Sequence, residues 1–174
     1  RTLYWCLVGR NVDLARLADD DLPRTDVAMT DLIIVQARMG STRLPGKVMR
    51  PMNGKPMIRY LAEGLSMASG DVVYAIPAKD NEILGSFLRS CWAKVFAWSG
   101  DENAVAGRFA AYLEKYPADR FFRICADSPL LDWRLLQAAQ ALYWPEYVKV
   151  HSPVGCVELF DTAAFLRVLP GMAY

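Results

Sequence analysis

From Asp31 onward, strand-forming runs alternate with amphipathic segments of helical periodicity, and no other feature narrows the choice of fold as much. The first run, Leu32 to Val35, is an unbroken apolar stretch typical of a strand that is covered on both faces. Further strands are predicted at 71–76, around Val95, and at 120–125. Strands that alternate with helices of about ten or more residues indicate βαβ units with right-handed crossovers. The sequence therefore predicts an α/β fold, a Rossmann-like three-layer α/β/α domain with a mostly parallel sheet.

Four helices are predicted around these strands. The first begins at Pro56 and ends before Gly70, because proline is tolerated in a first helical turn and glycine is common after a last one. Asp80 and Asp101 each precede an apolar helical pattern, and we predict that they cap the second and third helices. The fourth helix follows from Asp132.

Residues 1–30 differ from this pattern. They contain an apolar stretch from Leu3 to Val8, a short helical pattern from Val12 to Ala18, and an acidic run that ends at Pro23. We predict that 1–30 form an N-terminal extension or linker and that 31–174 form one α/β domain.

Composition excludes several classes of protein. Of the 174 residues, 53% are hydrophobic and 22% are charged, which is typical of a folded globular chain. The net charge of +1 provides no overall field toward nucleic acid or an anionic membrane, so neither is an expected partner. Any anion site must therefore be a local cluster of Arg and Lys.

The cysteines and the single histidine argue against a zinc site, a disulfide framework and a histidine-based nucleophilic mechanism. The four cysteines form no CxxC pair, and His151 is the only histidine. This cysteine usage fits a reducing compartment, and no apolar run approaches the roughly 20 residues that span a bilayer. We therefore expect a cytoplasmic protein.

A dense basic loop follows the first predicted strand, at the carboxyl end where ligands bind in parallel sheets. Arg38, Arg43 and Lys47 supply positive charge, and Ser41 and Thr42 add hydroxyl donors. Glycines in such a loop let backbone N–H groups approach an anion closely, and the cations can neutralise it with charge-assisted hydrogen bonds. The loop therefore predicts a triphosphate site.

The spacing of this loop differs from two common phosphate-binding motifs. Five residues separate Gly40 from Gly46 and Val48 follows the lysine, so the loop is not a Walker A motif, and it is not a GxGxxG turn either. The alternative interpretation is a solvated basic turn.

Residues 33–57, IIVQARMGSTRLPGKVMRPMNGKPM, resemble the N-terminal signature of the sugar-activating cytidylyltransferases. That family includes CMP-3-deoxy-manno-octulosonate synthetase, CMP-acylneuraminate synthetase and the spore coat polysaccharide biosynthesis F-type proteins. The similarity continues more loosely through 99–108, 123–132 and 152–166, so it covers roughly residues 32–170.

The resemblance implies a nucleotidyltransferase-like domain over 31–174 that transfers CMP from CTP to a sugar or sugar acid and releases pyrophosphate. Such a reaction serves surface polysaccharide or glycan biosynthesis. The expected partners are CTP and the sugar substrate, the expected cofactor is Mg²⁺, and a homodimer is expected as well. The resemblance also implies that the domain is short at its C-terminal end.

Site residues follow from the loop and from the resemblance together. Arg38, Lys47 and Asp127 are the predicted catalytic residues, and Asp127 and Glu158 are the predicted metal ligands. The predicted nucleotide-binding residues are Ala37, Arg38, Gly40, Ser41, Thr42, Arg43, Lys47 and Arg108.

Three of these residues also have plain structural interpretations. Asp127 fits a turn residue that caps the backbone before Pro129, Arg108 fits a solvent-facing helical residue, and Glu158 fits an exposed strand residue.

Departures from the family pattern leave two other functions open. Related sequences tend to carry acidic residues at the positions of Ala104 and Gly107, a glycine at the position of Ala126, and an aspartate two residues before Glu158. The first alternative is thus a non-catalytic nucleotide-binding or regulatory module. The second is a partner-binding domain of a larger protein, for which the candidate surface anchors are Trp92, Trp98 and Trp144.

Overall fold

The computed structural model describes residues 4–7, 10–13, 31–140, 146–152 and 154–171. Two short strands, β1 (Tyr4–Leu7) and β2 (Arg10–Asp13), form an antiparallel pair near the N-terminus. The helix predicted from Val12 to Ala18 is therefore wrong at its first two positions, where strand pairing replaces the local helical pattern. Its remaining positions lie outside the described residues, as does Trp144.

The four strands and four helices predicted between residues 31 and 140 are present, and further elements lie between and after them. In chain order they are β3 (Asp31–Gln36), β4 (Pro51–Met52), β5 (Lys55–Pro56), α1 (Met57–Leu65), β6 (Asp71–Pro77), α2 (Ser86–Ser90), β7 (Lys94–Trp98), α3 (Val105–Lys115), β8 (Arg120–Cys125), α4 (Arg134–Gln140), β9 (Tyr147–Ser152), β10 (Gly155–Asp161) and α5 (Thr162–Val168).

Six of these strands form one sheet in the order β7-β6-β3-β8-β10-β9. The first four are mutually parallel, whereas β10 runs antiparallel to both β8 and β9. The predicted mostly parallel sheet is confirmed. Because β3 and β8 are neighbours in the sheet, the segments that follow them emerge side by side at its carboxyl edge.

Helices cover both faces of this sheet and bury two apolar layers. On one face, Ile33 and Val35 of β3 pack with α1, α2 and α4, and on the other face Leu32 and Ile34 pack with α3 and α5. This alternation follows from the period-two geometry of a strand, which sends successive side chains to opposite faces. The three-layer α/β/α prediction is confirmed. Within the described ranges, no helix is long and apolar enough to cross a membrane.

Two of the predicted helix caps are wrong. A π-helical turn over Asn81–Gly85 precedes α2, and Asp80 makes no side-chain cap there. Helix α3 has Ala104 at its N-cap position without a side-chain cap, because the Asp101 carboxylate instead accepts a hydrogen bond of 2.8 Å from the Asn103 N–H. Asp101 thus closes a local turn before the helix, an alternative that short acidic side chains commonly take.

Candidate functional site

A cleft of about 160 Å³ opens at the carboxyl ends of β3 and β8. Its lining residues are Gln36, Ala37, Arg38, Ser41, Thr42, Arg43, Lys47, Val48, Cys125, Ala126 and Asp127. Most of the predicted nucleotide-binding residues and all three predicted catalytic residues therefore lie together. One side of the cleft is formed by the loop after β3, and the other side is formed by the end of β8 and the first residues after it.

The loop folds around one backbone carbonyl. The Met39 carbonyl accepts hydrogen bonds of 2.9 Å from both the Ser41 N–H and the Gly46 N–H, which closes residues 39–46 into a compact turn. Gly46 lies in the left-handed region at φ 67°, a conformation that glycine adopts without steric cost. The loop conformation thus favours glycine at position 46.

Asp80 lies behind this turn and holds it, a role that the sequence pattern around Asp80 did not indicate. Its carboxylate accepts a hydrogen bond of 2.8 Å from the Met39 N–H, and the residue is only 6% exposed. Asp80 follows the carboxyl end of β6 by three residues. Because ligand sites form at the carboxyl ends of parallel strands, the position of Asp80 could have indicated a site residue. The helical pattern that follows Asp80 favoured a capping role instead.

Three cations and one carboxylate face the cleft. Arg38 donates from Nη1 to Asn103 Oδ1 at 2.8 Å, which orients its guanidinium, and Arg43 is exposed at the rim. Lys47 Nζ contacts Asp127 Oδ2 in a short ion pair. Three positive groups against one negative group leave the lining with an excess of two positive charges, which suits a polyanion.

Backbone donors and a tight contact at Gly40 complete the loop. Within the described part of the chain, the N–H groups of Gly40 and Thr42 donate to no protein acceptor. A Cβ atom added to Gly40 would lie 3.1 Å from Glu102 Oε2, so glycine permits the close approach of that carboxylate. Glu102 in turn pairs with Lys79 at 2.5 Å.

Arg108 lies behind the loop and does not line the cleft. It is 0% exposed, and it donates from Nη2 to the Glu102 carbonyl at 2.7 Å and from Nη1 to the Ala75 carbonyl at 3.3 Å. Burial, reinforced by the nearby Arg38 charge, lowers the pKa of Arg108. The solvent-facing interpretation is wrong, and a direct nucleotide contact by Arg108 stays a prediction.

Glu158 is also buried, in β10, and it does not line the cleft. Its Oε2 atom accepts a hydrogen bond from Arg123 Nη1. Its Oε1 atom accepts a hydrogen bond of 2.9 Å from the Tyr147 hydroxyl and lies 3.5 Å from Lys149 Nζ. Burial and the neighbouring Glu158 carboxylate raise the pKa of Tyr147. The exposed-strand interpretation of Glu158 is wrong, and its predicted role as a metal ligand stays a prediction.

No ready-made metal cage is present among the described residues, which contain no group of three or more His, Cys, Asp or Glu side chains placed to hold a metal ion. The cleft itself offers one carboxylate, from Asp127. Any cation there must take most of its ligands from a bound molecule or from water.

A three-layer α/β domain with a basic loop at the carboxyl end of a central strand is typical of enzymes that bind nucleoside triphosphates. A comparison with known protein families narrows this class of enzymes to one family, because the family model described as Cytidylyltransferase matches residues 32–169. The chain belongs to the cytidylyltransferase family, as the motif at 33–57 predicted.

Individual relatives agree with this assignment. The chain is 35% identical over 104 residues to the 8-amino-3,8-dideoxy-manno-octulosonate cytidylyltransferase of Shewanella frigidimarina, a match that covers 58% of this chain and 42% of the relative. It is 33% identical over 112 residues to the spore coat polysaccharide biosynthesis protein SpsF of Bacillus subtilis, covering 60% of this chain and 46% of that protein. The chain thus spans less than half the length of these curated relatives.

A solved structure shares the fold. A cytidylyltransferase from Leptospira borgpetersenii superposes with a TM-score of 0.77 at 23% identity, covering 84% of this chain and 66% of that chain. The overall fold of this chain is therefore one that a cytidylyltransferase of solved structure also has.

Proposed function

We propose that this chain supplies the nucleotide-binding part of a cytidylyltransferase that transfers CMP from CTP to a sugar or sugar acid and releases pyrophosphate. The observation that carries the proposal is the convergence of Arg38, Arg43 and Lys47 with Asp127 on one cleft. The two relatives named above suggest the substrate class, since one is an 8-amino-3,8-dideoxy-manno-octulosonate cytidylyltransferase and the other a spore coat polysaccharide biosynthesis protein.

In this proposal the loop binds the triphosphate. Arg38, Arg43 and Lys47 contact the β- and γ-phosphates, and the N–H group of Thr42, which lines the cleft, donates to a phosphate oxygen. Gly40 does not line the cleft, so a phosphate contact from its N–H group stays a prediction. Charge-assisted hydrogen bonds of this kind are about twice as strong as neutral ones. The rigid turn around the Met39 carbonyl keeps these donors in place before the ligand arrives.

Asp127 fits a Mg²⁺ ion that arrives with the triphosphate. Mg²⁺ is commonly bound through one or two carboxylates, with phosphate and water oxygens as its other ligands, and the cleft offers one carboxylate. When bound, the ion would neutralise charge on the phosphate oxygens. For Glu158 to become a second ligand, it would have to release Arg123 or Tyr147.

The proposed reaction needs positioning and charge neutralisation rather than a covalent nucleophile. A sugar hydroxyl forms a bond to the α-phosphorus of CTP, while the bond from that phosphorus to the bridging oxygen of pyrophosphate breaks. Negative charge grows on the pyrophosphate during this step, and Arg38 and Lys47 are placed to stabilise it.

Replacement of Lys47 by alanine tests the site. A lost charged hydrogen bond corresponds to about 1.5–3 kcal/mol, so CTP should bind roughly 10- to 150-fold more weakly. Titration of CTP into the protein in the presence of Mg²⁺, followed by calorimetry, measures this affinity. The matched control is Lys55→Ala, since Lys55 is an exposed lysine that pairs with Glu63 and lies outside the cleft. Equal affinities for both variants and the parent chain would remove Lys47 from the site.

Release of pyrophosphate separates catalysis from binding alone. CTP and a panel of acidic and amino sugars are mixed with the chain, and pyrophosphate is measured enzymatically. Binding without release would favour a non-catalytic nucleotide-binding domain, the alternative motivated by Ala104, by Gly107 and by the missing aspartate two residues before Glu158. The homodimer also remains a proposal, and light scattering measures it directly.

A further inference from the structure

Two thiols lie opposite each other on neighbouring strands beside the cleft. Strands β8 and β10 are antiparallel, and their register pairs Glu158 with Arg123 and Val157 with Ile124. The paired residues end there, and extending the same register by one residue places Cys156 opposite Cys125. Both are half-buried free thiols, and Cys125 lines the cleft.

Both cysteines project from the same face of the sheet. Arg123 and Glu158 contact each other across the strands, so their side chains share a face. Because strand side chains alternate with a period of two, Cys125 and Cys156 share that face as well. The Arg123 guanidinium confirms it for Cys125, since its Nη2 lies 3.8 Å from the sulfur.

The chain segments on the far side of the cysteines are also in contact. A Cβ atom added to Gly155 would lie 3.0 Å from the Cβ of Ser128, which is three residues after Cys125 in the turn that follows β8. Opposite residues in an antiparallel pair have Cα atoms about 4.5 or 5.5 Å apart, according to their hydrogen bonding. Disulfides span Cα separations of about 4.4–6.8 Å and Cβ separations of about 3.5–4.5 Å. Either kind of pair meets the Cα requirement, and the non-hydrogen-bonded pair, whose Cβ atoms are closer, comes nearest to the Cβ requirement.

We propose that Cys125 and Cys156 form a reversible intramolecular disulfide by exchange with a low-molecular-weight disulfide such as oxidised glutathione. One thiolate attacks the glutathione disulfide, forming a mixed disulfide and releasing one glutathione thiol. The second thiolate then attacks the protein sulfur, forming the Cys125–Cys156 bond and releasing the second glutathione. The protein loses two electrons and two protons, and one glutathione disulfide is reduced to two thiols.

The bond would change the wall of the cleft. Cys125 comes two residues before Asp127, and a disulfide brings the two Cβ atoms to about 3.8 Å, which fixes the end of β8 against β10. This shifts the carboxylate of Asp127 relative to Lys47 on the other side of the cleft. We therefore expect several-fold weaker CTP binding by the oxidised protein, a consequence that rests on the proposed function.

A redox titration tests the disulfide without any nucleotide. The full chain is brought to equilibrium in buffers of stepped reduced-to-oxidised glutathione ratio, because half-buried thiols exchange slowly. Remaining thiols are alkylated and the protein is mapped by peptide mass spectrometry. We expect a linked pair of peptides that contain Cys125 and Cys156, with a midpoint that reduced glutathione reverses.

Three variants act as controls. Cys91→Ser should form the same link, since Cys91 lies near Arg59, away from the cleft lining. Cys125→Ser and Cys156→Ser should form none and should carry glutathione on the remaining thiol. The proposal is overturned if the parent chain shows only glutathione adducts at the most oxidising ratio, or if Cys125 and Cys156 link mainly to Cys6 or Cys91.

Calorimetry of CTP on the reduced and oxidised forms tests the effect on the cleft. Weaker binding by the oxidised form supports the coupling, and equal binding overturns it. If the reduced protein binds no CTP, the proposed function fails, while the peptide-mapping result on the disulfide still stands.

Discussion

Replacement of Asp80 by alanine should both destabilise the fold and weaken CTP binding. The Asp80 carboxylate is 6% exposed and accepts from the Met39 N–H at 2.8 Å, and it interacts favourably with the buried Arg108 guanidinium. Alanine removes the acceptor, leaves an N–H group without its partner, and takes away a negative charge close to Arg108. The loop then loses the contact that holds Met39 from behind.

The magnitude follows from the type of hydrogen bond. A bond to a charged partner contributes about 1.5–3 kcal/mol, and a buried donor without an acceptor costs a similar amount, so we expect the free energy of unfolding to fall by about 1.5–3 kcal/mol. Urea denaturation followed by fluorescence measures this loss. Titration of CTP on the folded variant reports the effect on the loop separately.

Asp80→Asn is the matched control, because its amide oxygen can still accept from Met39 while the charge is absent. We expect it to lose less than half as much stability as the alanine variant. An alanine variant within about 0.5 kcal/mol of the parent chain would refute the reasoning, since that is the usual range of surface substitutions. Equal losses in both variants would assign the effect to the charge near Arg108.

Substitutions at three further positions test contacts that stabilise the fold. Arg120→Ala should lower the free energy of unfolding, measured by urea denaturation, by about 3–5 kcal/mol. The substitution removes two hydrogen bonds of 2.8 Å and leaves Asp31, whose side chain is 12% exposed, without its partner. A loss below about 1 kcal/mol would show that the pair is solvated. Gly46→Ala should cost about 1 kcal/mol through its left-handed conformation, and Gly46→Asn should recover part of it, as thermal melting would show. Asp161→Ala should cost about 0.5–2 kcal/mol by removing the N-cap acceptor of Ala164 in α5, and an unchanged melting temperature would contradict this.

Much of the fold could be predicted because its signals are local. The apolar run at 32–35 and the helical patterns that follow predicted the three layers and the parallel strands. Strand β9 was missed although Val148 and Val150 alternate with polar residues, the pattern of a half-buried strand. The Asn53-Gly54 turn between β4 and β5 also carried a recognisable hairpin signal.

The candidate site could be predicted only in part, because its supporting contacts join distant positions. The loop and Asp127 were found since each follows a predicted strand, and β3 and β8 are neighbours in the sheet. The burial of Arg108 could not be predicted, because a charged residue is rarely fully buried unless paired and the carbonyl groups that it contacts cannot be read from the sequence. The partners of Glu158 depend on strand register, which is set by the whole sheet.

If the proposed function holds, the ion pair between Lys47 and Asp127 makes nucleotide binding a competition for Lys47. A triphosphate that draws Lys47 away from Asp127 leaves this carboxylate facing phosphate oxygens, unless a divalent cation accompanies the nucleotide. Nucleotide and cation should therefore bind cooperatively, each raising the affinity for the other. The cooperativity originates in one contact that the protein makes with itself.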